Sequence, residues 1–148
     1  MATPAVIAIK EGNTVTWSWL NCDGVIDQAG RKLVQYYNTA DAATALIALG
    51  DLSVLAESID CPPGHSFATP EPGYTIAYKR DRGESNVDPQ TSTIEMFLIC
   101  TKNNIRYLFE GDTWFIVRYA ELKGRNAATF EQRYHLVRVG ELLAGVVE

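Results

Sequence analysis

The residues best suited to chemistry lie in one short run, Tyr78-Lys79-Arg80-Asp81-Arg82-Gly83-Glu84. Two guanidinium groups so close can grip a phosphate or a carboxylate through paired N–H donors. Tyr74 and Tyr78, four positions apart, would share one face of a strand and offer rings on which a base could stack. Asp81 or Glu84 could act as a general base beside them. The same residues also read as an arginine–carboxylate network that merely fixes a turn at a strand end, a common structural device. Asp23-Gly24 is a second candidate. It is either a ligand-facing turn near the arginines or a plain turn in which Gly24 supplies positive φ. Arg31 and Lys32 could face an anion near a helix start, or water.

Other chemistry finds less support. The chain holds two histidines, His65 and His135, and three cysteines, Cys22, Cys61 and Cys100. Cys61-Pro62-Pro63-Gly64-His65 pairs a thiol with an imidazole, but a structural zinc needs about four ligands and no second pair follows. A Cys–His nucleophile through Cys61 or Cys100 lacks a marked electropositive pocket. No phosphate-binding glycine loop, HExxH, GxSxG or calcium loop occurs. The expectation is a binding protein rather than an enzyme, with no catalytic residue, metal or cofactor.

Composition sets the bounds. At 148 residues the chain has the size of a single domain, and its 47% hydrophobic and 21% charged residues are ordinary for a globular protein. The net charge of −5 argues against bulk binding to nucleic acid or to an anionic membrane face. Residues 1–75 carry Lys10, Arg31 and Lys32 against eight acids, so a local anion site is better placed in the second half. Three widely spaced cysteines read as reduced thiols. With no signal-like leader and no apolar run of about 20 residues, the expected location is the cytoplasm.

Those side chains need elements to position them. Val6–Ile9, a turn at Glu11-Gly12-Asn13 and the alternating Thr14–Trp19 predict a hairpin. A helix is expected to start near Asp27, with a stripe through Leu33, Tyr36 and Tyr37, and a second runs from Ala42 to Leu49 behind Thr39 or Asp41. Residues 51–55 read as a turn or helix start. Residues 61–73, with four of the six prolines, form a surface loop. Tyr74–Tyr78 reads as a third strand and Ser85–Gln90 as polar loop. Thr91 or Ser92 would cap a helix to Thr101, Ser92 and Glu95 having capping-box spacing. Ile105–Phe109 and Thr113–Val117 make a second hairpin, and Trp17, Trp19, Phe109, Trp114 and Phe115 are expected to pack the core. The tail from Ala127 to Val147 is helix-like through Phe130, Tyr134, Val137 or Arg138, and Leu142. The fold class is therefore α+β: a small antiparallel sheet of two hairpins plus a middle strand, packed with three to four helices. Residues 1–118 form one domain, and residues 119–148 a helical extension docked on it or on a partner subunit.

Several of these runs together resemble a family of small, poorly characterised phage and prophage proteins. They are Ile9-Lys10-Glu11-Gly12, Asp23-Gly24, the stretch Gly30 to Tyr37, the stretch Leu49 to Leu55, Ala77 to Glu84, and Tyr107-Leu108-Phe109 through Trp114. The resemblance covers about residues 5–118. One departure stands out. Where the family has Cys-His-Trp-Asp-Gly-Tyr, this chain reads Leu20-Asn21-Cys22-Asp23-Gly24-Val25, so any role of that histidine is lost. The resemblance implies a phage-borne accessory protein acting against host defence.

Three functions follow as expectations. The first is capture of a small anionic, nucleotide-derived ligand by Arg80, Arg82, Tyr74 and Tyr78, with Asp81, Glu84 and Asp23 nearby. The second is inhibition of a host defence protein through the acidic surface. The third is nucleotide cleavage with Asp81 or Glu84 as base. A homo-oligomer is allowed in each case.

Overall fold

The computed structural model describes residues 3–119 and 133–147. Its centre is strand β1, Ala5–Glu11. The run Ala5-Val6-Ile7-Ala8 does not alternate with polar residues because both faces of the sheet are covered there. Ala5 and Ile7 join a cluster with Leu33, Leu46, Tyr107, Phe109 and Trp114 on one face. Val6 and Ala8 join Trp17, Phe97, Leu108 and Val117 on the other.

Strand β2, Thr14–Leu20, pairs antiparallel with β1 in register from Ala5↔Leu20 to Glu11↔Thr14. The turn between them passes through Gly12 at φ +60°. On the other side of β1 lies β6, Ile105–Glu110, which runs parallel to it with Ile7 opposite Tyr107. β7, Thr113–Tyr119, closes a hairpin on β6, and β8, Tyr134–Arg138, pairs antiparallel with β7. The outer edge of β2 is divided. Thr14–Trp17 pairs with β5, Gln90–Thr93, while Leu20 meets Leu52 of β3, Leu52–Val54, which carries the two-residue β4, Ile76–Ala77.

Three helices cover the first face. A π-helical turn, Ile26–Gly30, leads into α1, Arg31–Tyr36. α2, Ala40–Ala48, begins at Thr39, whose side chain accepts from the Ala42 N–H. α5, Val139–Val147, buries Val139 and Leu143. α4, Ile94–Cys100, covers the second face with Ile94, Phe97 and Leu98. A short helix, α3, Tyr78–Arg82, follows β4 directly.

The α+β class holds, but among the described residues the sheet is an eight-stranded mixed sheet rather than a small antiparallel one, and five α-helices accompany it. Both predicted hairpins are present. The expected cap at Asp27 is replaced by the π-helical turn. Residues 52–54 are strand rather than turn. The strand expected over 74–78 is confined to Ile76–Ala77. Thr91 and Ser92 lie in β5, and the cap of α4 is Thr93, which accepts from the Met96 N–H. The tail is a strand over 134–138 before it turns helical, and its Phe130 lies outside the described residues. Trp17, Phe109 and Trp114 are buried as expected, while Trp19 and Phe115 are half-buried.

The Asp23-Gly24 turn reverses the expected roles. Asp23 is the residue at positive φ, +58°. Gly24 is required for space: a Cβ there would lie 2.6 Å from the Thr3 carbonyl oxygen and 2.7 Å from the Ala5 Cβ. The Gly24 carbonyl also accepts from the buried Tyr107 hydroxyl at 2.7 Å, tying the turn to β6. Gly24→Ala should therefore destabilise by about 1–3 kcal/mol through overpacking. Asp23→Gly should be neutral or stabilising by up to about 1 kcal/mol through relief of the left-handed conformation. Urea unfolding of both variants checks the contrast.

Candidate functional site

α3 starts at the end of β4, and its fourth residue folds back on its own first turn. The Asp81 carboxylate accepts from the Ala77 N–H at 2.8 Å, satisfying a donor at the helix start. Arg80 then clasps the same carboxylate with two bonds, Nε to Oδ1 at 2.9 Å and Nη2 to Oδ2 at 3.1 Å. Its other donors go to main-chain oxygens, Nη2 to Thr75 at 3.0 Å and Nη1 to Ile59. The Cys61 thiol points at Asp81 Oδ1 from 3.8 Å.

His65 completes this knot. Its Nδ1 accepts from the Glu71 N–H at 2.9 Å, which places the ring proton on Nε2. Nε2 then faces the Thr75 carbonyl at 3.2 Å and Asp81 Oδ2 at 3.4 Å. The Asp81 side chain is 0% exposed. Burial alone would raise its pKa. The Arg80 hydrogen bonds, the Ala77 N–H and the charge of Arg80, with His65 Nε2 facing the carboxylate, outweigh burial and hold it below the ordinary carboxylate range. Arg80 is pushed upward, first by its hydrogen bonds to Asp81. A carboxylate committed to this many donors has no lone pair turned to a substrate.

The remaining predicted residues are arranged differently from one another. Arg82 is half exposed, with its guanidinium 4.6 Å above the Phe67 ring and 6.0 Å from that of Tyr78. Glu84 stands 3.7 Å from it. Phe67 and Tyr78 are 5.7 Å apart, and the Tyr78 hydroxyl accepts from the Asn21 side-chain amide at 2.6 Å. Tyr74 packs near His65 instead, at 6.0 Å, so the two tyrosines do not share a strand face. Tyr78 is already helical. Asp23 is exposed, two residues beyond Asn21. Arg31 pairs with Asp27 at 2.5 Å on the surface. The structure thus gathers Arg80, Cys61 and His65 in one knot around the buried Asp81 carboxylate, and Arg82, Tyr78 and Phe67 in a surface stack beside it.

A second polar assembly went unnoticed in the sequence. At the end of the sheet where β7 stops and β8 starts, a concavity of about 430 Å³ is lined by Asn103, Asn104, Arg106, Val117, Arg118, Tyr119, Arg133 and His135. Strand alternation puts Arg106, Val117 and Tyr119 on the α4 side, and Arg118 and His135 on the opposite side at the rim. Arg106 is buried and donates to Thr101 Oγ1 at 2.7 Å and to the Leu98 carbonyl at 2.8 Å. Arg133 lies 4.9 Å over the Tyr119 ring and donates from Nη1 to its hydroxyl. Its Nε is buried and has no hydrogen-bond partner among the described residues.

Among the described residues, no three His, Cys, Asp or Glu side chains stand together as a metal site, and no helix is long and apolar enough to cross a membrane. Comparison with protein-family models, with curated proteins and with solved structures finds no match.

Two stability predictions follow from the knot. Arg80→Met leaves a buried, unpaired Asp81 and should cost about 3–5 kcal/mol, whereas Arg82→Ala, at an exposed pair, should cost less than about 1 kcal/mol. Because folding depresses the Asp81 pKa, its contribution is present above the ordinary Asp range and lost as the pH falls through the depressed value. Urea midpoints measured from neutral pH downward should fall for the wild type, and Asp81→Asn, less stable at neutral pH, should fall less steeply.

Proposed function

We propose that this protein acts by binding, without catalysis, and that it holds a small anion in the concavity between β6, β7 and β8. The observation that carries this reading is the Arg133 Nε, buried beside Arg106, Asn103 and Asn104 with no hydrogen-bond partner among the described residues. An unsatisfied buried donor costs about 1–3 kcal/mol, and an anionic oxygen placed there would remove that cost. The volume falls within the roughly 300–1,000 Å³ range of small-molecule sites. Three arginines lining one hollow, Arg106, Arg118 and Arg133, also stand out in a chain of net charge −5. The phage resemblance supplies the setting, a phage-encoded accessory protein that sequesters a nucleotide-derived signal of host defence. Arg80 has its donors engaged within the fold, so this reading moves the anion from Arg80 and Arg82 to Arg133, beside which Arg106, itself bonded to Thr101 and Leu98, adds a second positive charge.

A second reading, inhibition of a host protein, draws support from α4. Met96 and Ile99 are 48% and 68% exposed on a helix that is apolar all round apart from Glu95. A nucleotide-cleaving reading has Glu84 as its remaining base.

Calorimetric titration with inorganic phosphate, AMP and cyclic dinucleotides separates these readings. Anion capture predicts one site, affinity that falls with salt, ligand recovered unchanged after heating, and a loss of at least about tenfold in Arg133→Gln, equal to about 1.4 kcal/mol, with Arg82→Ala unaffected. Equal affinity in wild type and Arg133→Gln contradicts it. Capture of a host protein lost in Ile99→Asp, with no anion bound, favours the second reading.

A further inference from the structure

On the opposite face of the sheet, a groove of about 490 Å³ runs between α5, the π-helical turn and the ends of β6 and β7. It is lined by Val25, Ile26, Ile105, Arg106, Ile116, Val117, Arg118 and Leu142. Alternation along β7 places Arg118 on the same face as Trp114 and Ile116, while its neighbours Arg106 and Val117 belong to the α4 side. The groove and the anion concavity lie at the same end of the sheet and share Arg106, Val117 and Arg118 in their linings, while Val25, Ile26, Ile105, Ile116 and Leu142 line the groove alone and Arg133 the concavity alone.

We propose that this groove binds the aliphatic chain of a monocarboxylate, with Arg118 holding the carboxylate. Six of the eight lining residues are branched aliphatics with no hydrogen-bonding group in the side chain, and none is aromatic. A nucleobase placed there would bury ring N–H groups that neither the aliphatic side chains nor the arginines, which only donate, can meet, whereas an alkyl chain has no such groups. Val25 is 37% exposed, so apolar surface stands open at the edge of the groove. Arg118 is exposed and carries no ion pair among the described residues, which leaves its guanidinium available to one negative head group. Apolar walls with one well-placed polar group are the usual make-up of a small-ligand site. The carboxylate sets the polarity: the chain lies along Ile105, Ile116 and Leu142, and the head group faces outward at Arg118.

The test titrates the whole protein with hexanoate, octanoate and decanoate, each below its micelle concentration, and with decanol, by calorimetry and amide chemical shifts. The expected result is affinity rising about three- to fourfold per methylene, with shifts centred on Ile105, Ile116 and Leu142. Arg118→Gln, an exposed substitution, should weaken decanoate at least tenfold and leave decanol unchanged. Arg133→Gln should not alter decanoate binding, so failure of the anion site and failure of this groove read out separately. Affinity independent of chain length, shifts centred elsewhere, or Arg118→Gln binding decanoate like wild type overturns the proposal.

Discussion

Asp81 is withdrawn from water altogether, and an isolated ionised carboxylate in that position would not be tolerated. It is kept ionised by Arg80 on two sides, the Ala77 N–H, the Nε2 of His65 and the thiol of Cys61. Cys61 and His65 come from the proline-rich segment, which has few apolar side chains with which to anchor itself, and Ala77 and Arg80 come from β4 and α3. Around this carboxylate the segment closes through polar bonds. Thr75 binds Ala56 in both directions and receives Arg80 and His65 on its carbonyl, while Tyr37 reaches in from α1 to the Ala56 carbonyl. The loop over residues 56–75 is thus fastened to β4, to α3 and to the helical layer through one buried charge.

That arrangement explains why the motif most suggestive of ligand binding is mainly structural. The pairing of Arg80 with Asp81 is visible in the sequence as a pattern, and a turn-fixing network is one of the readings it carries. What sequence could not show was burial. Arg80 and Arg82 are two positions apart, which on a strand means one face. On the helix that actually forms they diverge, Arg80 toward the carboxylate and Arg82 onto Phe67. Gly83 at φ +74° ends that helix, a feature of the motif that points to a cap as readily as to a flexible hinge.

Elements with strong local signals were legible, and those formed by tertiary pairing were not. β6 and β7 alternate around Glu110-Gly111-Asp112 and were found within a residue or two. β5 is Gln-Thr-Ser-Thr, a polar strand whose formation depends on the free half of the β2 edge, so nothing apolar marked it. Tyr134, Val137 and Arg138 fit a helical stripe, yet Tyr134, Leu136 and Arg138 fit a strand equally well, and pairing with β7 decides the matter. Leu52-Ser53-Val54 is too short to declare itself without β2 and β4 on either side. The same reason hid the anion concavity. Arg106, Tyr119 and Arg133 are far apart in the chain, and β6–β7–β8 pairing brings them together.

The central claim is that Asp81 is an ionised structural hub and that binding takes place elsewhere. Carbon-13 chemical-shift titration of the Asp81 carboxyl, with and without phosphate and AMP, addresses both halves together. The account predicts a midpoint below the ordinary Asp range that does not move when either compound is added. A midpoint at or above that range, or one displaced by the added anion, would place Asp81 in a working site and contradict the account.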